Sequence, residues 1–162
     1  MGFEGRPEGQ RDIEHLEALA SHVATFFQLA PLRAQIKWLA DHDAMTGLIR
    51  RDRLEALLTV DLNESSVRYV HMFLLDMDGF KRINDEHGHT NGDLAIKAIA
   101  RQLTNLFAKR DVLLCHWGGD EFIVVVPALE EIRPEVVRNE IRAAIEGIKC
   151  PELPNVVFAT SI

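Results

Sequence analysis

Residues 116–122 read His116-Trp117-Gly118-Gly119-Asp120-Glu121-Phe122, and apolar segments of strand character, Val112–Leu114 and Ile123–Val126, flank them on both sides. Two glycines between two such runs predict a hairpin, because glycine adopts the positive φ that a tight reversal demands. The tip of that hairpin carries acid. Without Cβ atoms the glycines let a bulky anion approach the backbone, and the adjacent carboxylates suit a divalent cation. Phosphate and metal are the chemistry the segment suggests.

The elements around the hairpin predict a fold. Val67 to Asp76 is a nearly continuous apolar run, as in a strand buried on both faces, and it ends in Asp76-Met77-Asp78. A short helix from Phe80 to about Glu86 leads to the turn Gly88-His89-Thr90-Asn91-Gly92. Asn91 is placed to cap a helix running to about Ala108 with Ile96, Ile99, Leu103 and Leu106 on one face. After the hairpin, Pro134 opens another helix with Val137, Ile141, Ala144 and Ile148 in phase, and Pro154 precedes a last strand over Asn155–Ile162. From residue 67 the order is β-α-β-β-α-β. That is an α+β fold, a ferredoxin-like or palm-like βαββαβ core with an antiparallel sheet and both long helices on one face. In this topology the first and third strands are central neighbours, so Asp76 and the acidic hairpin share one edge.

Upstream, Ile13, Leu16, Ala20, Val23, Phe27 and Ala30 are spaced by three and four along residues 12–30, a narrow helical seam that Pro31 is expected to break or kink. A second stretch, Leu32 to about Leu39, precedes Asp41-His42-Asp43. The seam suits packing on its own domain or, better, pairing with the same helix of a second chain. Thr46-Gly47-Leu48 reads as a turn or cap, and Arg50 to Leu62 as a helix with Leu54, Leu57, Leu58 and Leu62 inward.

Composition narrows the function classes. The chain has 162 residues, 47% apolar and 27% charged, which suits one catalytic-size core, and its formal charge of −7 without a Lys/Arg cluster excludes a long nucleic-acid interface. No apolar run reaches the ~20 residues of a membrane span, and no signal peptide is visible, so the expected location is cytoplasmic. Arg6 stands where an N-myristoylation signal needs Ser or Thr. Cys115 and Cys150 fit no metal spacing and are expected to be reduced and buried.

Asp76 and Asp78, taken alone, could merely cap the following helix. With Asp120 and Glu121 beside them the carboxylates repel one another, and a divalent cation, Mg²⁺ above all, compensates that repulsion. Lys81, one turn beyond Asp78, is placed to meet a phosphate or to remain solvated. Asn84 and Asp93, an amide that donates and accepts and a carboxylate that accepts, would suit the edge of guanine or serve as ordinary helix-surface groups.

The stretch from Leu74 through Asp76-Met77-Asp78-Gly79-Phe80-Lys81-Arg82-Ile83-Asn84 to Gly92-Asp93, followed by Gly118-Gly119-Asp120-Glu121-Phe122, closely resembles the GGDEF family of diguanylate cyclases. Asp43-Ala44-Met45-Thr46-Gly47-Leu48 with Arg51 resembles the motif that opens the domain. The resemblance divides the chain into an N-terminal helix or linker at 1–40 and a GGDEF domain at 41–162. It implies condensation of two GTP molecules into cyclic di-GMP with release of two pyrophosphates, each protomer of a homodimer holding one GTP. By the same motifs Asp76, the carbonyl of Met77, Asp120 and Glu121 would hold Mg²⁺ or Mn²⁺, and Asp120 would help deprotonate the 3′-hydroxyl. Lys81 would contact phosphate, Asn84 and Asp93 would recognise guanine with Phe80 beside them, and Gly118 and Gly119 would admit the triphosphate. Leu16 to Ala24 resembles the last helix of a GAF sensory domain, which implies a sensor body missing from this chain.

Two departures stand out. The family's inhibitory product site is an Arg-x-x-Asp motif whose positions are Lys109 and Val112 here, so strong feedback through it is not expected. Family members also continue past the fourth strand into a helix bearing a lysine and an arginine for the triphosphate, whereas this sequence stops at Ser161-Ile162. The alternative reading is therefore a catalytically inactive GTP-binding or dimerisation module. A metal-dependent nucleotidyl transferase with another substrate is a third, distinguished by Asn84 and Asp93.

Overall fold

The computed structural model describes the backbone at 8–64 and 67–162 and the side chains at 15–59 and 67–162. The expectation placed on Arg6 falls outside those ranges, and at Ile13 and Leu62 only the backbone is described. The chain separates into two compact units that part between Ala40 and Asp41.

The first unit is helical. Helix α1 spans Glu8–Asp41 and passes through Pro31 without ending, so of the expected break or kink the break is absent. Proline forfeits one backbone bond inside a helix, a loss that an element of 34 residues can carry and still continue. Its Leu16, Val23, Phe27, Leu32 and Ile36 are all exposed.

The second unit runs β1 (Ile49–Arg50), α2 (Arg51–Glu64), β2 (Tyr69–Met77), α3 (Phe80–His87), α4 (His89–Leu106), β3 (Leu113–Gly118), β4 (Glu121–Ala128), α5 (Pro134–Glu146) and β5 (Thr160–Ser161). Sheet order is β1-β3-β4-β2-β5. Without β1 this is the expected ferredoxin-like arrangement, with β2 and β4 antiparallel neighbours at the centre. Strand β1 adds a parallel edge on β3, Ile49 opposite Cys115, which the sequence reading lacks.

On one face Phe73, Leu75 and Met77 of β2 with Phe122 and Val124 of β4 pack against Ile96, Ile99 and Leu103 of α4 and Val137, Ile141 and Ile145 of α5. On the other face Leu54 of α2 covers Cys115, Ile123 and Val125. That second layer does not extend across β2. Met72 and Leu74 are 52% and 54% exposed, so β2 is buried on one face and not on two, a correction to the expectation.

Three other expectations change. Asn91 lies within α4, whose N-cap is Gly88, and donates from its side chain to His87 O at 2.6 Å, which ties α3 to α4. The last strand narrows to Thr160–Ser161, pairing with Met77 and Asp76. Both cysteines are free, but only Cys115 is buried; Cys150 is half-buried and its thiol donates to Glu152 Oε2 at 3.3 Å.

Candidate active site

The expected meeting of β2 with the hairpin is present at the level of single residues. Asp76 stands opposite Glu121 in the β2–β4 register, and the Met77 amide donates to the Asp120 carbonyl at 3.2 Å. The reversal between β3 and β4 places Gly118 at φ 146° and Gly119 at φ 58°, conformations that side-chain-bearing residues avoid. Burial, followed by the charges of Asp120 and Asp78, pushes the Asp76 carboxyl above its ordinary value. Asp120 and Asp78 therefore both act on Asp76 at the strand end. Asp78 is also tied to β5, because Ser161 Oγ donates to its Oδ1 at 2.7 Å.

These groups fit a divalent cation as part of its shell. Among the described residues no three His, Cys, Asp or Glu side chains converge closely enough to hold an ion alone. Mg²⁺ usually takes one or two carboxylates and completes its shell with water and substrate phosphate, and mutually repelling carboxylates at an open strand end suit that division.

Helices α3 and α4 bring a second group together. Asn84 and Phe80 of α3 both face Gly92, the residue before Asp93: a Cβ on Gly92 would stand 2.0 Å from Asn84 Oδ1 and 3.3 Å from Phe80 Cε2. Asn84 Oδ1 is buried with no hydrogen-bond partner, a state that costs about 1–3 kcal/mol until a donor meets it. Guanine presents such donors on its N1–H and amino edge. Asp93 and Lys81 are exposed on α4 and α3.

Sequence reasoning missed three supports. Gly92 makes room for the Asn84 amide, and its only sequence signal is its position before Asp93. Thr160, 5% exposed, donates to the Asp76 carbonyl at 2.9 Å and holds the end of β2; nothing in its sequence context announces this. His116, given no role beyond opening the segment 116–122, bridges two segments: Nδ1 lies 3.1 Å from Asp43 Oδ1 and Nε2 3.0 Å from Gly119 O. A cavity of about 510 Å³, lined in part by Arg51, Glu55, His116, Trp117 and Gly118, opens beside the hairpin and touches none of Asp76, Asp120 and Glu121.

Carboxylates gathered at the end of the central strands of a ferredoxin-like sheet define a palm-like domain. The chain belongs to the GGDEF family: the family pattern described as diguanylate cyclase, GGDEF domain, matches residues 40–154. Diguanylate cyclase DgcM of Escherichia coli K12 is 32% identical over 133 residues, covering 81% of this chain and 32% of that protein. An uncharacterized signaling protein of Caulobacter vibrioides is 39% identical over 119 residues, 72% of this chain and 14% of that one. The chain thus spans a third or less of the length of these curated relatives. Among solved structures, the coiled coil and GGDEF domain of DgcB from Caulobacter crescentus, in complex with c-di-GMP, superposes with a TM-score of 0.72 at 25% identity, covering 90% of this chain and 80% of that one. A sensory box/GGDEF family protein from the same organism gives 0.62 at 28% identity, covering 75% and 80%. No described helix is long and apolar enough to cross a membrane.

Proposed function

We propose that this domain condenses two GTP molecules into cyclic di-GMP and two pyrophosphates, working as a homodimer whose protomers each hold one GTP. The observation that carries this reading is the β2–β4 register, which sets Asp76 opposite Glu121 and beside Asp120. In this reading Asp76, the Met77 carbonyl, Asp120 and Glu121 hold Mg²⁺ or Mn²⁺. The ion, when bound, neutralises charge on the phosphates and on the leaving pyrophosphate.

The chain's own groups position the rest. Asn84 and Asp93 take the guanine edge with Phe80 beside them, Lys81 meets phosphate as a point charge, and Gly118 and Gly119 let the hairpin backbone lie close to the triphosphate. Asp120 accepts the 3′-hydroxyl proton; the freed 3′-oxygen bonds to the α-phosphorus of the facing GTP, and the bond from that phosphorus to pyrophosphate breaks. In-line transfer of this kind depends chiefly on positioning and charge neutralisation. Each GTP needs the 3′-oxygen of the other, so one protomer supplies only half of a site. Helix α1, whose apolar residues are exposed, is read as the element that pairs two chains under a sensor outside this sequence.

The alternative is a GTP-binding or dimerisation module without turnover. Incubation of the purified protein with GTP and Mg²⁺, with product detected by mass spectrometry and Asp120→Ala as control, separates the two. Cyclic di-GMP from the wild type alone is the expected result; a folded dimer that binds GTP and makes none sinks the cyclase reading. Lys109 and Val112 stand at the positions of the family's inhibitory motif, and neighbouring Arg110 is held by Glu140 at 2.6 Å, so no strong product feedback is expected there.

A further inference from the structure

We infer that Arg82 of α3 holds the distal phosphates of the nucleotide and so makes this site prefer a triphosphate to a monophosphate. The inference deepens the proposed function and rests on it for the identity of the base. The guanidinium folds back along its own helix: Nη2 stands 3.8 Å from where a Cβ on Gly79 would be, so the charge lies over the first turn of α3. Long side chains on a helix lean toward its N-terminus. That carries Arg82 to the end where α3 leaves β2.

Its place around the helix differs from that of the base-facing pair. Phe80 and Asn84 both face Gly92 of α4. Arg82 is two residues from each, about 200° around the axis, and lies along a cavity of about 220 Å³ lined in part by Asp78, Glu86 and the segment 155–157 that precedes β5. The end of β2 enters α3 between these two sides. A nucleotide with its base at Asn84 and its first phosphates at the β2 carboxylates runs across the first turn of α3, and a longer phosphate chain continues to the Arg82 side.

The charges around Arg82 favour an anion there. Among the described residues it makes no hydrogen bond or ion pair, although two acids line its cavity. Asp78 Oδ1 accepts from Ser161 instead, and Glu86 lies 4.0 Å from His87. Arg50, Arg51, Arg53 and Arg110, by contrast, each meet an acid at 3.5 Å or less. Gly79 caps α3 without a side-chain acceptor, so the guanidinium faces the positive end of the helix dipole, which disfavours a cation unless an anion lies close to both. Lys81 is turned about 100° from Arg82 on the same helix and does not duplicate it. A guanidinium keeps its charge and takes two phosphate oxygens at once. A monophosphate that ends at the carboxylates leaves that fork unused.

Isothermal titration in Mg²⁺ with GTP, GMP and inorganic tripolyphosphate tests the inference. The wild type should bind GTP more tightly than GMP and should bind tripolyphosphate. Arg82→Ala should weaken GTP and tripolyphosphate about ten- to a hundredfold, the scale of one charge-assisted hydrogen bond, and leave GMP near wild type. Arg82→Lys should recover part of the loss, because it keeps the charge without the fork. Arg138→Ala, exposed on α5, should bind all three as the wild type does. GTP affinity unchanged in Arg82→Ala, a loss as large for GMP, or an equal loss in Arg138→Ala overturns the inference, and so does a wild type that binds no tripolyphosphate. Tripolyphosphate held through Arg82 by a protein that makes no cyclic di-GMP refutes the cyclase reading and leaves Arg82 its phosphate role. Cyclic di-GMP made by Arg82→Ala with wild-type KM and kcat refutes that role and leaves the reading.

Discussion

A methyl group at position 92 would stand 2.0 Å from Asn84 Oδ1, too close for either atom to remain. Gly92→Ala should therefore displace the Asn84 amide, an overpacking cost of about 1–3 kcal/mol. Isothermal titration should show GTP binding weakened by about tenfold or more, with a circular dichroism spectrum like that of the wild type; unchanged affinity would separate Asn84 from guanine recognition. Asp76 gives a prediction of opposite sign to most active-site substitutions. Its carboxyl is raised by burial and by the charges of Asp120 and Asp78, so the folded state holds its proton more tightly than the unfolded state does. Its contribution to stability is complete below the ordinary aspartate value of 3.8 and is lost as pH rises through the higher folded value. At neutral pH without divalent ions, Asp76→Asn should raise the thermal midpoint, and the gain should vanish as pH falls below that ordinary value. Mg²⁺ should stabilise the wild type more than the variant. Scanning calorimetry in EDTA and in Mg²⁺ across that pH range checks both statements.

Among elements, β2 is the one whose sequence promised more cover than the fold provides. An unbroken apolar run cannot say how far a second layer extends. Here α2 reaches Ile123 and Val125 of β4, but their neighbours Leu74 and Met72 on β2 remain exposed. Among the described residues the other edge of β2 pairs with β5 only at Asp76 and Met77, which leaves Tyr69 to Leu75 unpaired along that edge beside an apolar face, an arrangement prone to edge-to-edge association. Leu74→Lys should reduce light scattering at high protein concentration and leave the thermal midpoint near wild type, since it buries no charge; a large loss of stability would mean that Leu74 is covered. The same limit explains the other misreadings. Periodicity locates α4 and α5 well because their own residues carry the signal. Strand β1 is two residues long and exists through its pairing with Cys115 and His116, which no local pattern announces. Pro31 signalled a break from its own chemistry, although a helix of 34 residues can lose one bond and continue. Asn91 carried a capping signal, yet Gly88 occupies the cap and Asn91 bonds back to His87. The placement of the site's carboxylates was legible in part, because the order β-α-β-β-α-β makes β2 and β4 neighbours and so brings Asp76 to the edge that carries the hairpin. The supports from Gly92, Thr160 and His116 were not, since each acts through a partner distant in sequence or through the absence of a side chain.

For the whole molecule, the chemistry proposed needs two copies, and α1 is the element with an uncovered apolar stripe to join them. Leu16, Val23 and Phe27 are 65%, 53% and 70% exposed and follow one another at intervals of seven and four, spacings that keep them on one side of a helix. Opposed charges do not argue against pairing here, because the stripe itself is free of acids and bases. A charge at the middle of that seam should separate the chains and spare the nucleotide site. Val23→Asp combined with Phe27→Asp should sediment as a monomer, bind GTP per chain as the wild type does, and lose most product formation. Wild-type specific activity should rise with protein concentration until the dimer saturates, as expected when each half-site waits on the other. The double variant should stay low across the same range. If it still sediments as a dimer and keeps the wild-type concentration dependence, the seam on α1 is not what unites the half-sites.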